Sequence, residues 1–193
     1  MRIIAGSARS LPLKTLEGMN TRPTTDKIKE TLFNVLQGDI PGCYFLDLFA
    51  GSGQIGLEAL SRGGNYAVFV ENNRKAAKCI EENINFTKFD KQSLLMNSDV
   101  LTALRMLEGK YKFDVIFMDP PYNKGFIEPA LKAITEKGIL SDNGIIVLES
   151  DDTDFYGAAD KLEILKQRKY GRTYITIYRS IQENENCNLS GQL

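Results

Sequence analysis

The sequence predicts an α/β protein whose mostly parallel sheet ends in an antiparallel hairpin. Three observations lead there. Short apolar runs alternate with helix-periodic stretches between residues 44 and 150. Gly51, Gly53 and Gly56 spell G-x-G-x-x-G at the turn after the first of those runs. Two alternating runs then flank Tyr170-Gly171, a hairpin signal. Five parallel strands plus the hairpin make seven strands, with helices on both faces.

The elements follow in order. "RIIAG" and "LPLKTL" are expected to pair as an N-terminal hairpin. "TRPTTDKIKETLFNVL" reads as a helix entered through Pro23 and a Thr cap, with Ile28, Leu32, Val35 and Leu36 on one face. "YFLDLF" (44–49) is a buried strand, "QIGLEALS" a helix closed by Gly63-Gly64, and "YAVFVE" (66–71) a second strand. "NRKAAKCIEENINF" carries Ala76, Ile80 and Ile84 in line, as a helix would. "QSLLMN" (92–97), a helix over "VLTALRML" and "FDVIFM" (113–118) continue the pattern. A helix to about Lys137, a Ser-Asp-Asn-Gly turn and "GIIVLES" (144–150) complete it.

A chain of 193 residues suits one such domain with a full core. No apolar run approaches the ~20 residues of a bilayer span, and the start lacks the h-region of a signal peptide, so a cytoplasmic protein without a membrane partner is expected. Three scattered cysteines suit a reducing compartment and show no metal spacing, so no metal is expected. The absence of histidine excludes Ser-His-Asp and Cys-His mechanisms. Chemistry must therefore run on carboxylates, hydroxyls, backbone groups or a reactive cofactor.

Charge is unevenly spread. Residues 1–30 hold six basic against three acidic residues, and residues 161–179 hold six against one, while residues 31–160 carry twelve basic and nineteen acidic. Both ends are expected to offer positive surface to phosphates, with RNA docking on residues 1–16 and 161–179.

The candidate site residues lie at the strand ends. Glycines at 51 and 53 let the backbone turn and approach a ligand, with Ala50 and Ser52 beside them. Such a loop holds either the pyrophosphate of a dinucleotide or the amino-acid end of S-adenosylmethionine. Asp47, inside an apolar strand, needs a partner, and a ligand ammonium suits it. Glu71, followed by Asn72, can accept from two ribose hydroxyls, a chemistry both ligands share. Asp99, followed by Val100, can reach an adenine amino group. "DPPY" (119–122) decides between the ligands. Pro120 and Pro121 stiffen the turn, and the Asp119 carboxylate with the Pro120 carbonyl can grip an exocyclic amine. Tyr122 offers a stacking face worth ~1–3 kcal/mol per base.

"DLFAGSG", Glu71, Asp99 and "DPPY" in this order resemble the class I S-adenosylmethionine-dependent amino-methyltransferases. More narrowly, "RIIAG", "RPTTDKIKETLFNVL", "LDLFAGSGQIGLEALSRG" and "VIFMDPPY" resemble the RsmD family of bacterial small-subunit (16S) ribosomal RNA guanine-N2-methyltransferases. The resemblance spans about residues 1–180. It implies a Rossmann-like seven-stranded methyltransferase sheet with an N-terminal hairpin and helix extension, and a substrate within an assembling ribosomal particle. It also implies cofactor contacts at Asp47, Gly51, Gly53, Glu71 and Asp99, and a guanine amine held by Asp119, Pro120 and Tyr122. Arg22, Thr24 and Thr25 match its N-terminal signature and are expected beside the site, in contact with cofactor, base or phosphate, or as helix caps. The expected divisions are an extension over 1–40, the methyltransferase domain over 41–180 and a flexible tail over 181–193.

Other readings share some of these residues. DNA adenine-N6 or cytosine-N4 methyltransferases and protein glutamine methyltransferases use the same amine grip, but the DNA enzymes usually add a recognition region for which no segment here is long enough. An NAD-dependent oxidoreductase would leave "DPPY" unexplained, and a non-enzymatic RNA-binding module would bind no cofactor.

Overall fold

Apolar runs too short for helices and bounded by turn residues become the strands, and the amphipathic stretches between them become the helices. The computed structural model describes residues 1–15, 26–121, 125–151 and 161–181. Along the chain run α1 (Asp26–Val35), β1 (Tyr44–Asp47), α2 (Gln54–Ser61), β2 (Tyr66–Val70), α3 (Arg74–Thr87) and β3 (Ser93–Met96). They are followed by α4 (Val100–Leu107), β4 (Phe113–Met118), α5 (Ile127–Glu136), β5 (Leu140–Ser150), β6 (Leu162–Tyr170) and β7 (Thr173–Ser180). The described strands form one sheet in the order β3-β2-β1-β4-β5-β7-β6. β1 to β5 pair parallel, and β7 runs antiparallel between β5 and β6. The strand order reverses between β1 and β4, so a crevice opens beyond their carboxyl ends, where ligands of open α/β sheets bind.

Two apolar layers sandwich the sheet. Leu32, Phe33, Ile55, Leu60, Ile80 and Ile84 cover one face, from α1, α2 and α3. Ala103, Leu104, Leu107, Leu131 and Ile134 cover the other, from α4 and α5. Among the described residues, no helix is long and apolar enough to cross a membrane.

Two local expectations are altered in detail. The N-terminal hairpin is short: one antiparallel bridge, Arg2 to Pro12, flanked by Ile3 N–H donating to the Leu11 carbonyl at 3.0 Å, Ser10 N–H to the Ile3 carbonyl at 2.9 Å and Leu13 N–H to the Met1 carbonyl at 3.0 Å. Donors between those pairs reach α2: Ile4 and Ala5 N–H donate to the Glu58 carboxylate at 2.8 and 3.0 Å, and Ser7 N–H to the Ser61 carbonyl at 2.7 Å. Lys29 of α1 completes this hub, its ammonium 3.3 Å from Glu58 with both side chains wholly buried, while Arg62 donates to the other Glu58 oxygen at 2.8 Å. The Ser-Asp-Asn-Gly segment also differs from the expected turn. It lies inside β5 as an irregularity, since Phe113 pairs with Leu140 but Val115 with Ile145. Ser141 is tied down there by a 2.9 Å hydrogen bond to Asp114.

Candidate active site

Four carboxylates gather at the carboxyl edge of the central strands. Asp47 ends β1 and is 1% exposed. One of its oxygens accepts from Gly56 N–H at 3.2 Å, and the other has no hydrogen-bond partner. An orphaned carboxylate oxygen in a buried site is costly. Burial pushes the Asp47 carboxyl up to about 7, with the nearby Glu71 charge adding to the rise and the Gly56 amide opposing it. Asp119 follows β4, half-buried. Its carboxyl is also raised well above the ordinary value, by burial first and then by the charges of Glu149 and Asp47. Glu149 is buried near the end of β5, where Met118 pairs with the preceding Leu148.

The glycine loop wraps this group. Gly51 has φ +56°, and a Cβ there would meet no atom of the chain within 4 Å, so the backbone faces open space where a ligand can approach. Its N–H donates to Glu71 Oε2 at 2.9 Å, while Glu71 Oε1 accepts from Asn73 N–H at 2.8 Å. Ala50 N–H donates to the Val70 carbonyl, fastening the loop to the end of β2. Gly56 plays a different part. A Cβ on it would lie 2.3 Å from the Phe69 ring, so its bareness lets α2 pack directly on β2.

Not every expected residue is committed to the crevice. Asp99 is exposed and caps α4, accepting from Thr102 N–H at 2.9 Å, and that bond lowers its carboxyl below the usual range. Val100 follows it as the first residue of α4. Asn72 is exposed next to Glu71, Ser52 lies in the glycine loop, and Pro120 and Pro121 follow Asp119. Tyr122, Arg22, Thr24 and Thr25 lie outside the described residues.

Two residues escaped the sequence reading. Glu149 sits in an apolar run that reads as a plain strand with a carboxylate at its end. Asn83 of α3 looks like one more polar helix residue, yet it is buried. Its amide donates to the Ser52 carbonyl at 2.9 Å and the Lys14 carbonyl at 3.1 Å, and its oxygen accepts from Lys14 N–H at 2.8 Å. It ties the glycine loop to the N-terminal segment. Only a polar residue on the otherwise apolar Ala76–Ile80–Ile84 side of the helix could have flagged it.

The assembly can therefore hold a cation against Asp47, an adenosine-like group along Glu71 and Asp99, and a planar amine at Asp119. The family model described as "Conserved hypothetical protein 95" matches residues 1–179. The chain is 36% identical over 181 residues to YlbH of Bacillus subtilis, covering 93% of this chain and 98% of that protein. It is 33% identical over 181 residues to ribosomal RNA small subunit methyltransferase D of Haemophilus influenzae, covering 93% and 94% of the two chains. The solved structure of yhhF from Escherichia coli superposes with a TM-score of 0.84 at 30% identity, covering 93% of this chain and 97% of that one. The chain thus belongs to the conserved hypothetical protein 95 family, in the company of the small-subunit ribosomal RNA methyltransferase D of Haemophilus influenzae.

Proposed function

We propose that this protein methylates the exocyclic N2 amine of a guanine in small-subunit ribosomal RNA, with S-adenosylmethionine as cofactor. The reading takes the substrate to be an assembling ribosomal particle in the cytoplasm. The observation that carries it is Asp47: a buried carboxylate with an orphaned oxygen, on a glycine loop whose backbone faces open space.

When bound, S-adenosylmethionine supplies a methyl group activated on a sulfonium. Asp47 would hold its ammonium, and the backbone of Ala50, Gly51, Ser52 and Gly53 would surround its amino-acid end. Glu71, with Asn72, would accept from the ribose, and Asp99 with Val100 would border the adenine. The Asp119 carboxylate and Pro120 carbonyl would accept from the two N–H bonds of the guanine amine, with Pro121 keeping the turn stiff and Tyr122 stacking on the base. An aryl amine is a poor nucleophile because its lone pair is delocalised into the ring. Two acceptors draw the nitrogen towards tetrahedral geometry and aim the lone pair, so catalysis rests on orientation.

Positive charge beside Asp47 and Asp119 would favour their ionised forms, in which both carboxylate oxygens accept. The base would leave its stack at a cost of a few kcal/mol, least in a loop.

The test is transfer of labelled methyl to ribosomal particles from cells lacking the endogenous enzyme, with free ribosomal RNA, duplex DNA and a glutamine-bearing protein in parallel. The expected product is N2-methylguanine in particle RNA, with transfer falling at least a thousandfold in Asp119→Ala, a rate loss worth about 4 kcal/mol. Label on DNA or protein instead would overturn the substrate, and transfer undiminished in Asp119→Ala would overturn the role of the amine grip.

A further inference from the structure

We infer that the RNA strand flanking the target base docks on the edge of the sheet at β6 and the β6–β7 turn, and not on the N-terminal segment. The inference rests on the proposed RNA substrate and asks which of the two basic ends receives it.

The folded protein treats those ends differently. At the N-terminus Arg2 is paired with Asp26 at 3.3 Å, Lys14 with Glu82 at 2.7 Å and Lys29 with Glu58 in the buried hub. Of the cations there whose side chains are described, Arg9 alone has no acidic partner among the described residues. At the other end Arg179 is paired with Glu163, and Lys169 lies 4.9 Å over the Tyr174 ring. Lys166, Arg168 and Arg172 make no ion pair among the described residues. A cation already neutralised by a carboxylate has little left to offer a phosphate. The C-terminal hairpin keeps its charge available.

A β-bulge then aims that charge. Ile164 pairs with Tyr178, but Lys166 pairs with Ile177, so Leu165 is an extra residue on β6. Because side chains alternate, one extra residue turns the rest of the strand over. Lys166, Arg168 and Tyr170 thus share the face of Ile175 and Ile177 and line an open groove against Leu32 and Val35 of α1. Without the bulge, Gln167 and Lys169 would face the groove instead. Successive groove-facing positions on the strand are about 7 Å apart. The result is a row of two cations and an aromatic ring beside an apolar wall, which suits a single RNA strand with phosphates on Lys166 and Arg168 and a base against Tyr170.

The groove also runs the right way. β6 is parallel to β5, so Tyr170 and Arg172 emerge at the carboxyl edge where Asp119 and Glu149 lie, and Ser150 pairs with Tyr174. Three strand spacings, roughly 14 Å, separate β6 from β4. The opposite half of the sheet carries Glu71 and Asp99, which repel phosphate.

The experiment measures binding of small-subunit ribosomal RNA, transcribed in vitro, across a salt series. It compares wild type, the triple variant K166Q/R168Q/R172Q and the paired-charge control K14Q/E82Q. For the triple variant we expect RNA affinity to fall ten- to a hundredfold near physiological salt. The slope of log affinity on log salt should shrink by about two if Lys166, Arg168 and Arg172 each meet a phosphate, since each such contact on a single strand contributes about 0.7. Cofactor binding should stay unchanged, and the control should match wild type in both measurements. Single variants Arg168→Gln and Arg172→Gln, each with its own smaller slope change, cover failure of the triple variant to fold. Unchanged affinity and slope would overturn the inference, as would unchanged RNA binding with self-association of the variant, because charged residues on an edge strand also block pairing with a second copy. A wild-type protein that binds RNA with this slope yet transfers no methyl to ribosomal particles would sink the proposed function and leave the docking surface standing.

Discussion

Asp47 makes a test at the scale of one side chain. Its folded carboxyl sits at about 7 against an ordinary value of 3.8, so the cofactor-free protein binds a proton there that the unfolded chain has released. Stability therefore falls as pH rises from about 4 to 7 and levels off above, by up to about 4 kcal/mol for this group. Asp47→Asn should remove that share of the slope, read from urea unfolding at pH 5 and pH 8, while weakening S-adenosylmethionine binding. A variant whose stability tracks wild type across the window would show that Asp47 is not the group responsible. Residues at this scale were legible where a motif announced them: Asp47 by being a charge within an apolar run, Glu71 and Gly51 by their spacing of twenty residues. Glu149 and Asn83 were not. What makes them matter is the neighbour each meets across the fold, Asp119 and the Ser52 carbonyl, and no local pattern encodes such a meeting.

At the level of elements, two glycines of one motif, Gly51 and Gly56, divide their labour, and substitution should separate them. Gly56→Ala pushes a methyl into the Phe69 ring and should cost about 1–3 kcal/mol by prising α2 from β2. Gly51→Ala meets open space but holds φ +56°, a strain of about 1–2 kcal/mol for an L-residue. Its larger effect should be on cofactor affinity, because the methyl occupies the approach to the loop. Thermal melts paired with cofactor titrations distinguish the two, and equal cofactor affinities would show that Gly51 does not face the ligand. The order and type of α2, β2, α3, α4 and β4 were readable from periodicity, since each is an apolar face or run bounded by its own turn. β5 was misread at its start because Asn143-Gly144 is ordinarily turn chemistry. Here pairing with Phe113 and the Ser141–Asp114 bond hold the segment in the strand instead. The N-terminal hairpin is short for a related reason: beyond its paired residues the Ile4 and Ala5 amides turn to the Glu58 carboxylate.

Taken whole, the molecule treats its first residues as part of its core. Ile3, Ala8 and Leu13 are buried in the layer that also holds α1, α2 and α3. Deleting residues 1–13 would expose that layer and leave Lys29 and Glu58 open to water, so we expect a loss of at least about 3 kcal/mol in urea unfolding. A truncated protein as stable as the full chain would mean that the segment merely rests on the surface. The Glu58 hub also bears on when the parts come together. Every group in it, from the Arg2 carbonyl and the Ile4 and Ala5 amides to Lys29, Glu58 and Arg62, belongs to the first 62 residues. The strand that flanks β1 on its other side, β4, begins only at Phe113. During synthesis the hub can close, and β1, β2 and β3 can pair, while the centre of the sheet is still being made. The half of the protein that carries the glycine loop thus has all the groups of its hub synthesised before the half that carries Asp119 and the basic edge.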